Sequence, residues 1–134
     1  MISGVSKVVL PVDDQHRAKE FWTERVGFEL RRDESYGGER WIEVSPPDGT
    51  PLLVLSLRIP DEPRREVPDE LPHSPVFFNC ADSEATRREL TRRGVEFPVP
   101  PQRQHFGSWS LFDDADGTRR AGSMGLSSHS EDDQ

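Results

Sequence analysis

Apolar positions along this chain follow two periods, one suited to strands and one to helices. "SKVVLPV" at about 6–12 reads as a strand, because a short valine-rich run fits a pleated sheet. From residue 15 onward, Ala18, Phe21, Trp22 and Val26 fall three and four apart, the spacing of one helix face. Asp14 stands between the two, where a short carboxylate accepts from the first free helical N–H groups. Gly27 follows the last turn, a position that often takes the left-handed conformation. "FELRRDE" (28–34) then reads as a second strand. A third and a fourth strand follow, joined by a tight turn at Pro47-Asp48-Gly49, where glycine supplies positive φ.

The same order recurs at an offset of 68. "SKVVLPVDDQHRAKEFWTER" (6–25) lies over "SPVFFNCADSEATRRELTRR" (74–93), with Asp14 on Asp82 and Thr23 on Thr91. Gly27 and Gly94 close the two helical patterns, one residue out of step. "RWIEVSPPDGT" (40–50) lies over "SWSLFDDADGT" (108–118), placing Trp41 on Trp109 and Asp48-Gly49-Thr50 on Asp116-Gly117-Thr118. A shared Trp and a shared Asp-Gly-Thr at one offset mark a duplicated module. In the second copy Ala85, Leu90 and the stem of Arg93 take the helical spacing. "VEFPV" (95–99) reads as its second strand, with Pro98 implying an edge or an early end. Each module is βαβββ. The expected organisation is one domain over 1–124, with module one at 5–57, a Pro-rich linker at 58–73 and module two at 74–124. An acidic tail over 125–134 is expected to be disordered.

Composition refines this picture. Apolar residues make up 32% and charged residues 31%, but the polar excess gathers in 58–73 and 125–134, leaving an ordinary globular composition elsewhere. A length of 134 residues suits one domain with a modest core. A net charge of −8 argues against nucleic acid, which requires a basic surface. Eight of the 25 acids lie in the two polar segments, so the charge says little about any pocket. The single Cys80 excludes an internal disulfide and fits a reducing compartment. No secretory pattern opens the chain and no 18-residue apolar stretch occurs, so the expectation is a cytoplasmic protein that engages no membrane.

Two tandem βαβββ modules of this length resemble the vicinal oxygen chelate superfamily, which unites glyoxalases, bleomycin-resistance proteins and ring-cleaving dioxygenases. The resemblance is carried by Val12-Asp13-Asp14 with "FWTERVGFEL" (21–30), by "RRGVEF" (92–97), and by "FDDADGT" (112–118) in place of the usual Asp-Pro-Asp-Gly-Asn. It spans about 6–124. It implies an α+β fold in which the two modules form a cup-shaped open mixed sheet with helices outside. Metal-dependent members hold a divalent ion in the cup with His, Glu or Gln. The positions that match those ligands are Lys7, Leu53, Pro75 and Ala121. A protonated lysine repels a cation, and the other three carry no donor. His16, His73, His105 and His129 match none of the positions. No metal and no cofactor are therefore expected.

Strand alternation turns those positions into a lining. Lys7, Val9 and Pro11 are expected inward, with Val8, Leu10 and Val12 under the helix. Pro75, Phe77 and Asn79 are expected inward, with Val76, Phe78 and Cys80 in the core. Leu53, Leu55 and Leu57 are assigned to the lining on one fourth strand, and Arg119, Ala121 and Ser123 on the other. Trp41 and Glu43, with Trp109 and Leu111 as their mates, face in, while Ile42 and Val44 face the helix. His105 joins them from the loop "PQRQHFG" (101–107). The expected ligand-binding set is thus Lys7, Val9, Trp41, Glu43, Leu53, Leu55, Phe77, Asn79, His105, Trp109, Leu111 and Arg119.

Such a lining suits a flat, partly aromatic small molecule. Plainer readings stand beside it: the two Trp as packing, Lys7 and Glu43 as a surface pair, Cys80 as an inert thiol, and arginines 87–88 and 92–93 as a solvated face. The leading expectation is a metal-independent small-molecule binding protein of the bleomycin-resistance type that sequesters an antibiotic or aromatic metabolite. One alternative is a metal-independent isomerase or lyase in which Lys7, Glu43 or His105 transfers a proton. Another is a non-catalytic dimerisation module. A homodimer is expected under all three, because open-edged sheets invite pairing.

Overall fold

The computed structural model describes residues 1–58, 76–97, 99–104, 107–113 and 123–128, with backbone only at 99–104, 107–109, 123–124 and 127–128. The chain forms two compact units, Met1–Glu62 and Pro63–Gln134. The first holds strands β1 (Lys7–Val12), β2 (Glu29–Tyr36), β3 (Glu39–Ser45) and β4 (Leu52–Leu57), in the order β1-β4-β3-β2. The second holds β5 (Phe77–Asn79), β6 (Val99–Gln104), β7 (Gly107–Asp113) and β8 (Ser123–Ser128), in the order β5-β8-β7-β6. In each sheet the first strand runs parallel to the fourth, and the remaining pairs are antiparallel. A helix follows the first strand of each unit: α1 (Gln15–Glu20), which widens into a π-helical stretch over Phe21–Val26, and α2 (Ser83–Arg92). The α+β class and the repeated βαβββ order are both present.

The helix starts follow from the two aspartates. Asp14 Oδ1 accepts from the Arg17 N–H at 3.0 Å, and Asp82 Oδ1 accepts from Glu84 and Ala85 N–H at 3.0 and 3.1 Å. Gly27 and Gly94 end the helical segments at φ of 92° and 94°, a region costly for any residue with a Cβ. In the first unit Leu10, Val12, Ala18, Trp22, Ile42, Val44, Leu53 and Leu55 are buried. Full burial of one such aliphatic side chain contributes roughly 1.5–3 kcal/mol. In the second unit Phe112 is buried beside Phe78 and Phe97, with ring centroids 6.4 and 5.6 Å away.

Several expectations are corrected. The second strand of module two is Val99–Gln104 rather than 95–99, so most of the expected loop at 101–107 is strand. Among the described residues β6 pairs only with β7, and its register shifts between Val99 and Gln102, so Pro100 and Pro101 sit where a missing N–H is tolerated. The expected disordered tail begins too early, because β8 carries Gly125 to Ser128 in register with β5 and β7. The cause is an insertion: six residues, 46–51, join β3 to β4, whereas nine, 114–122, separate β7 from β8. Arg119 and Ala121 therefore precede β8 and lie outside the described residues, as does the expected linker at 58–73 apart from Arg58. Ala85 is exposed, and Ser83 and Leu90 form the inward stripe of α2. Arg87 does not join a solvated face; its guanidinium lies 5.6 Å from the Phe97 ring centroid.

Candidate ligand-binding site

Residues paired directly across a sheet project to the same side. Val9 and Glu43 both pair with Val54, whereas Val8 and Val44 both pair with Leu53. Lys7, Val9, Trp41, Glu43 and Val54 consequently share one face, and Leu10, Ile42, Val44, Leu53 and Leu55 share the other, in the core with Ala18 and Trp22. The assignment of Leu53 and Leu55 to the face of Lys7 is corrected here, since both are 0% exposed on the opposite side. "LLVL" is apolar on both faces, so alternation carried no parity and pairing with β1 decided it.

Glu43 is the centre of the open face. It is 4% exposed, and its Oε2 accepts from Lys7 Nζ and from Trp41 Nε1, each at 2.8 Å. Arg32 Nε lies 3.8 Å from Oε1, and Lys7 Nζ stands 5.7 Å from the Trp41 ring centroid. The Lys7 ammonium, aided by the indole N–H and Arg32, holds the Glu43 carboxyl below its ordinary value against the opposing effect of burial. The cluster fixes Trp41 by its N–H while leaving the residue 37% exposed. Val9, 58% exposed, extends the apolar surface.

Beside Trp41 opens a cleft of about 490 Å³, lined among others by Gln15, Arg40, Val54, Ser56 and Leu57. Arg40 is spoken for, donating through Nε and Nη2 to the two Asp33 oxygens at 2.8 and 2.7 Å. Arg58 Nε donates to Asp13 Oδ1 at 2.8 Å.

Of the sequence-derived residues, Lys7, Trp41 and Glu43 are brought into contact, with Val9 on their face. In the second unit Phe77 and Asn79 are exposed, and Leu111, 4% exposed, pairs with Gly125 opposite Phe77. Trp109 pairs with Ser127 by backbone register. His105 lies outside the described residues. Sequence reasoning missed Arg32, which reaches Glu43 only through the β2–β3 register and the bulge at Arg31. It also missed Gln15, an ordinary polar residue at a helix start whose role no local signal marks.

The chain matches the profile of the Glyoxalase/Bleomycin resistance protein/Dioxygenase superfamily over residues 4–120. It belongs to that superfamily. Among similar proteins, YetH of Bacillus subtilis (strain 168) is 32% identical over 118 residues, covering 87% of this chain and 94% of that one. TnmS3, an antibiotic binding protein from Streptomyces sp. CB03234, is 33% identical with a TM-score of 0.76, covering 96% and 98% of the two chains. A superfamily member from Sphaerobacter thermophilus DSM 20745 shares the fold at a TM-score of 0.77 and 24% identity, covering 96% and 98%.

For a member of the glyoxalase/bleomycin-resistance/dioxygenase superfamily, the donor chemistry of this face is informative. Lys7 is cationic, and of the β4 residues on its side Leu52 and Val54 offer no donor and Ser56 offers only a neutral hydroxyl. Of the carboxylates on this face, Glu43 already accepts two hydrogen bonds at Oε2, and Glu34, which pairs with Trp41, lies 3.7 Å from Arg32 Nη1. These residues do not fit a divalent ion. Among the described residues, no three His, Cys, Asp or Glu side chains gather into a metal-binding group. The described residues also include no helix long and apolar enough to cross a membrane.

Proposed function

We propose that this superfamily member binds a small, flat, partly aromatic molecule without a metal ion and without altering it, as a sequestering protein of the antibiotic-binding kind. One observation carries the reading: Trp41 is pinned by its N–H to a buried, ionised Glu43 and still presents surface beside a cleft of about 490 Å³. A fixed indole offers stacking area at small entropic cost, and the cleft has the size of small-molecule sites. The likeness to TnmS3, at 33% identity over nearly the whole chain, supports the same reading. The rival proton-transfer reading is weaker at Glu43, because a carboxyl held below its ordinary value is a poor base. The protein acts in the cytoplasm, as a homodimer.

Titration of purified protein with a panel of aromatic antibiotics and metabolites, read by tryptophan fluorescence, tests this. Saturable quenching is expected, with the ligand recovered at unchanged mass, and Trp41→Ala is expected to weaken binding by about tenfold or more, about 1.4 kcal/mol. A new product mass would move the protein to the enzymes, and silence across the panel would remove the binding reading.

A further inference from the structure

Duplication gives this protein an internal comparison. β7 and β8 pair over six positions, from Ser108↔Ser128 to Asp113↔Ser123. Their counterparts β3 and β4 pair over two, Glu43↔Val54 and Val44↔Leu53, although β3 begins at Glu39 and β4 runs on to Leu57. Where the module-one pairing stops, the ladder gives way to a side chain. Gln15 Nε2 donates to the Leu55 carbonyl at 2.9 Å and to the Arg40 carbonyl at 2.8 Å, one from each strand. Two hydrogens on one amide nitrogen thus satisfy two backbone acceptors. At the offset of 68, Gln15 corresponds to Ser83, whose hydroxymethyl group is too short to span two strands. The cleft of about 490 Å³ lies at this fork, between Gly38–Trp41 on one side and Val54–Arg58 on the other.

We propose that Gln15 is a wedge that keeps β3 and β4 parted, and that the fork it opens is the seat of the ligand: a flat, neutral polycyclic molecule with amide- or lactam-type hydrogen-bonding groups along one edge. The proposal rests on the small-molecule reading above. Strand edges present backbone donors and acceptors in line, so a guest between parted strands gains most by carrying both on an edge. Trp41 and Leu57, 37% and 60% exposed, supply the apolar area for its faces. The rim guanidinium groups of Arg40 and Arg58 are neutralised by Asp33 and Asp13, which removes the attraction an anionic guest would need. Gln15 is a positioning residue, acting through the strands it separates.

The test uses phenanthridinone, a flat tricyclic lactam, and phenanthrene, its hydrocarbon counterpart, with wild type, Gln15→Ser and Gln15→Lys. Affinity is read by calorimetry and strand closure by hydrogen exchange of the backbone amides at 39–42 and 55–58. Wild type is expected to prefer the lactam at least tenfold. Gln15→Ser is expected to slow exchange at the fork as the ladder closes, and to lose lactam affinity at least tenfold. Gln15→Lys, whose ammonium donates to the same two carbonyls, is expected to retain both properties within about threefold. Unchanged exchange in Gln15→Ser, or equal loss in Gln15→Lys, overturns the wedge. Slowed exchange with unchanged affinity overturns the seat while leaving the small-molecule reading intact. A preference for the lactam below tenfold overturns the ligand class, and a wild type that binds no aromatic compound overturns the seat and the small-molecule reading together.

Discussion

Glu43 is 4% exposed and yet keeps its charge, because Lys7 Nζ and Trp41 Nε1 both donate to Oε2 at 2.8 Å. Glu43→Gln replaces a charged acceptor with a neutral one and leaves Lys7 without its counter-ion. The Lys7 side chain is 47% exposed and can turn to water, so the cost is set near 1–3 kcal/mol, below that of a fully buried broken pair. A carboxylate whose folded pKa lies below its unfolded value adds stability above the unfolded pKa, and that contribution is lost as pH falls through the folded value. The stability gap between wild type and Glu43→Gln is therefore expected at neutral pH and should narrow as pH drops below the ordinary value of 4.5, as measured by urea unfolding across pH. A gap that widens in acid would show that Glu43 is not held ionised.

At the same scale the two copies exchange volume. Val9 faces Val54 in the first unit, while the ring of Phe77 lies over Gly125 in the second, where an added Cβ would come within 2.5 Å of the ring. That Lys7 and Val9 share the exposed side of β1, and Phe77 and Asn79 that of β5, was readable, because both strands alternate cleanly. Cys80 is half-buried, and burial pushes its thiol up, away from reactivity, as its core-facing position in the sequence implied.

Among elements, one tie between α1 and the β2–β3 hairpin is ionic. Asp33 accepts from Lys19 Nζ at 2.9 Å and from both ends of the Arg40 fork, and Arg40 followed by Lys19 holds its carboxyl well below the usual carboxylate range. Asp33→Asn is expected to lower stability by about 1–3 kcal/mol at neutral pH and to speed amide exchange in the hairpin. By the same sign rule, this loss disappears in acid, once Asp33 itself is protonated. Exchange confined to its wild-type rate would refute the tie. Caps and helix-ending glycines were legible because they act within a few residues of their own positions. The start of β6 and the parity of β4 were not. β6 takes its place from pairing with β7 and tolerates prolines as an outer strand, and β4 is apolar on both faces.

At the scale of the whole molecule, the open face of the first unit presents a cation and a carboxylate already engaged, not a set of free donors. Dialysis against EDTA is accordingly expected to leave the thermal unfolding midpoint unchanged. A fall restored by zinc or manganese would overturn the metal-independent reading.

The sequence by itself determined the repeat, the α+β class, the caps and the superfamily. Each rests on local periodicity or on residues whose conformational preference acts at their own position. Tertiary structure alone decided which side of β4 faces Lys7, that Arg32 reaches Glu43, and that Gln15 stands between β3 and β4. Those outcomes depend on strand register, and register is a property of pairs of distant segments: Glu43 meets Val54 and Val9 only after the sheet has formed.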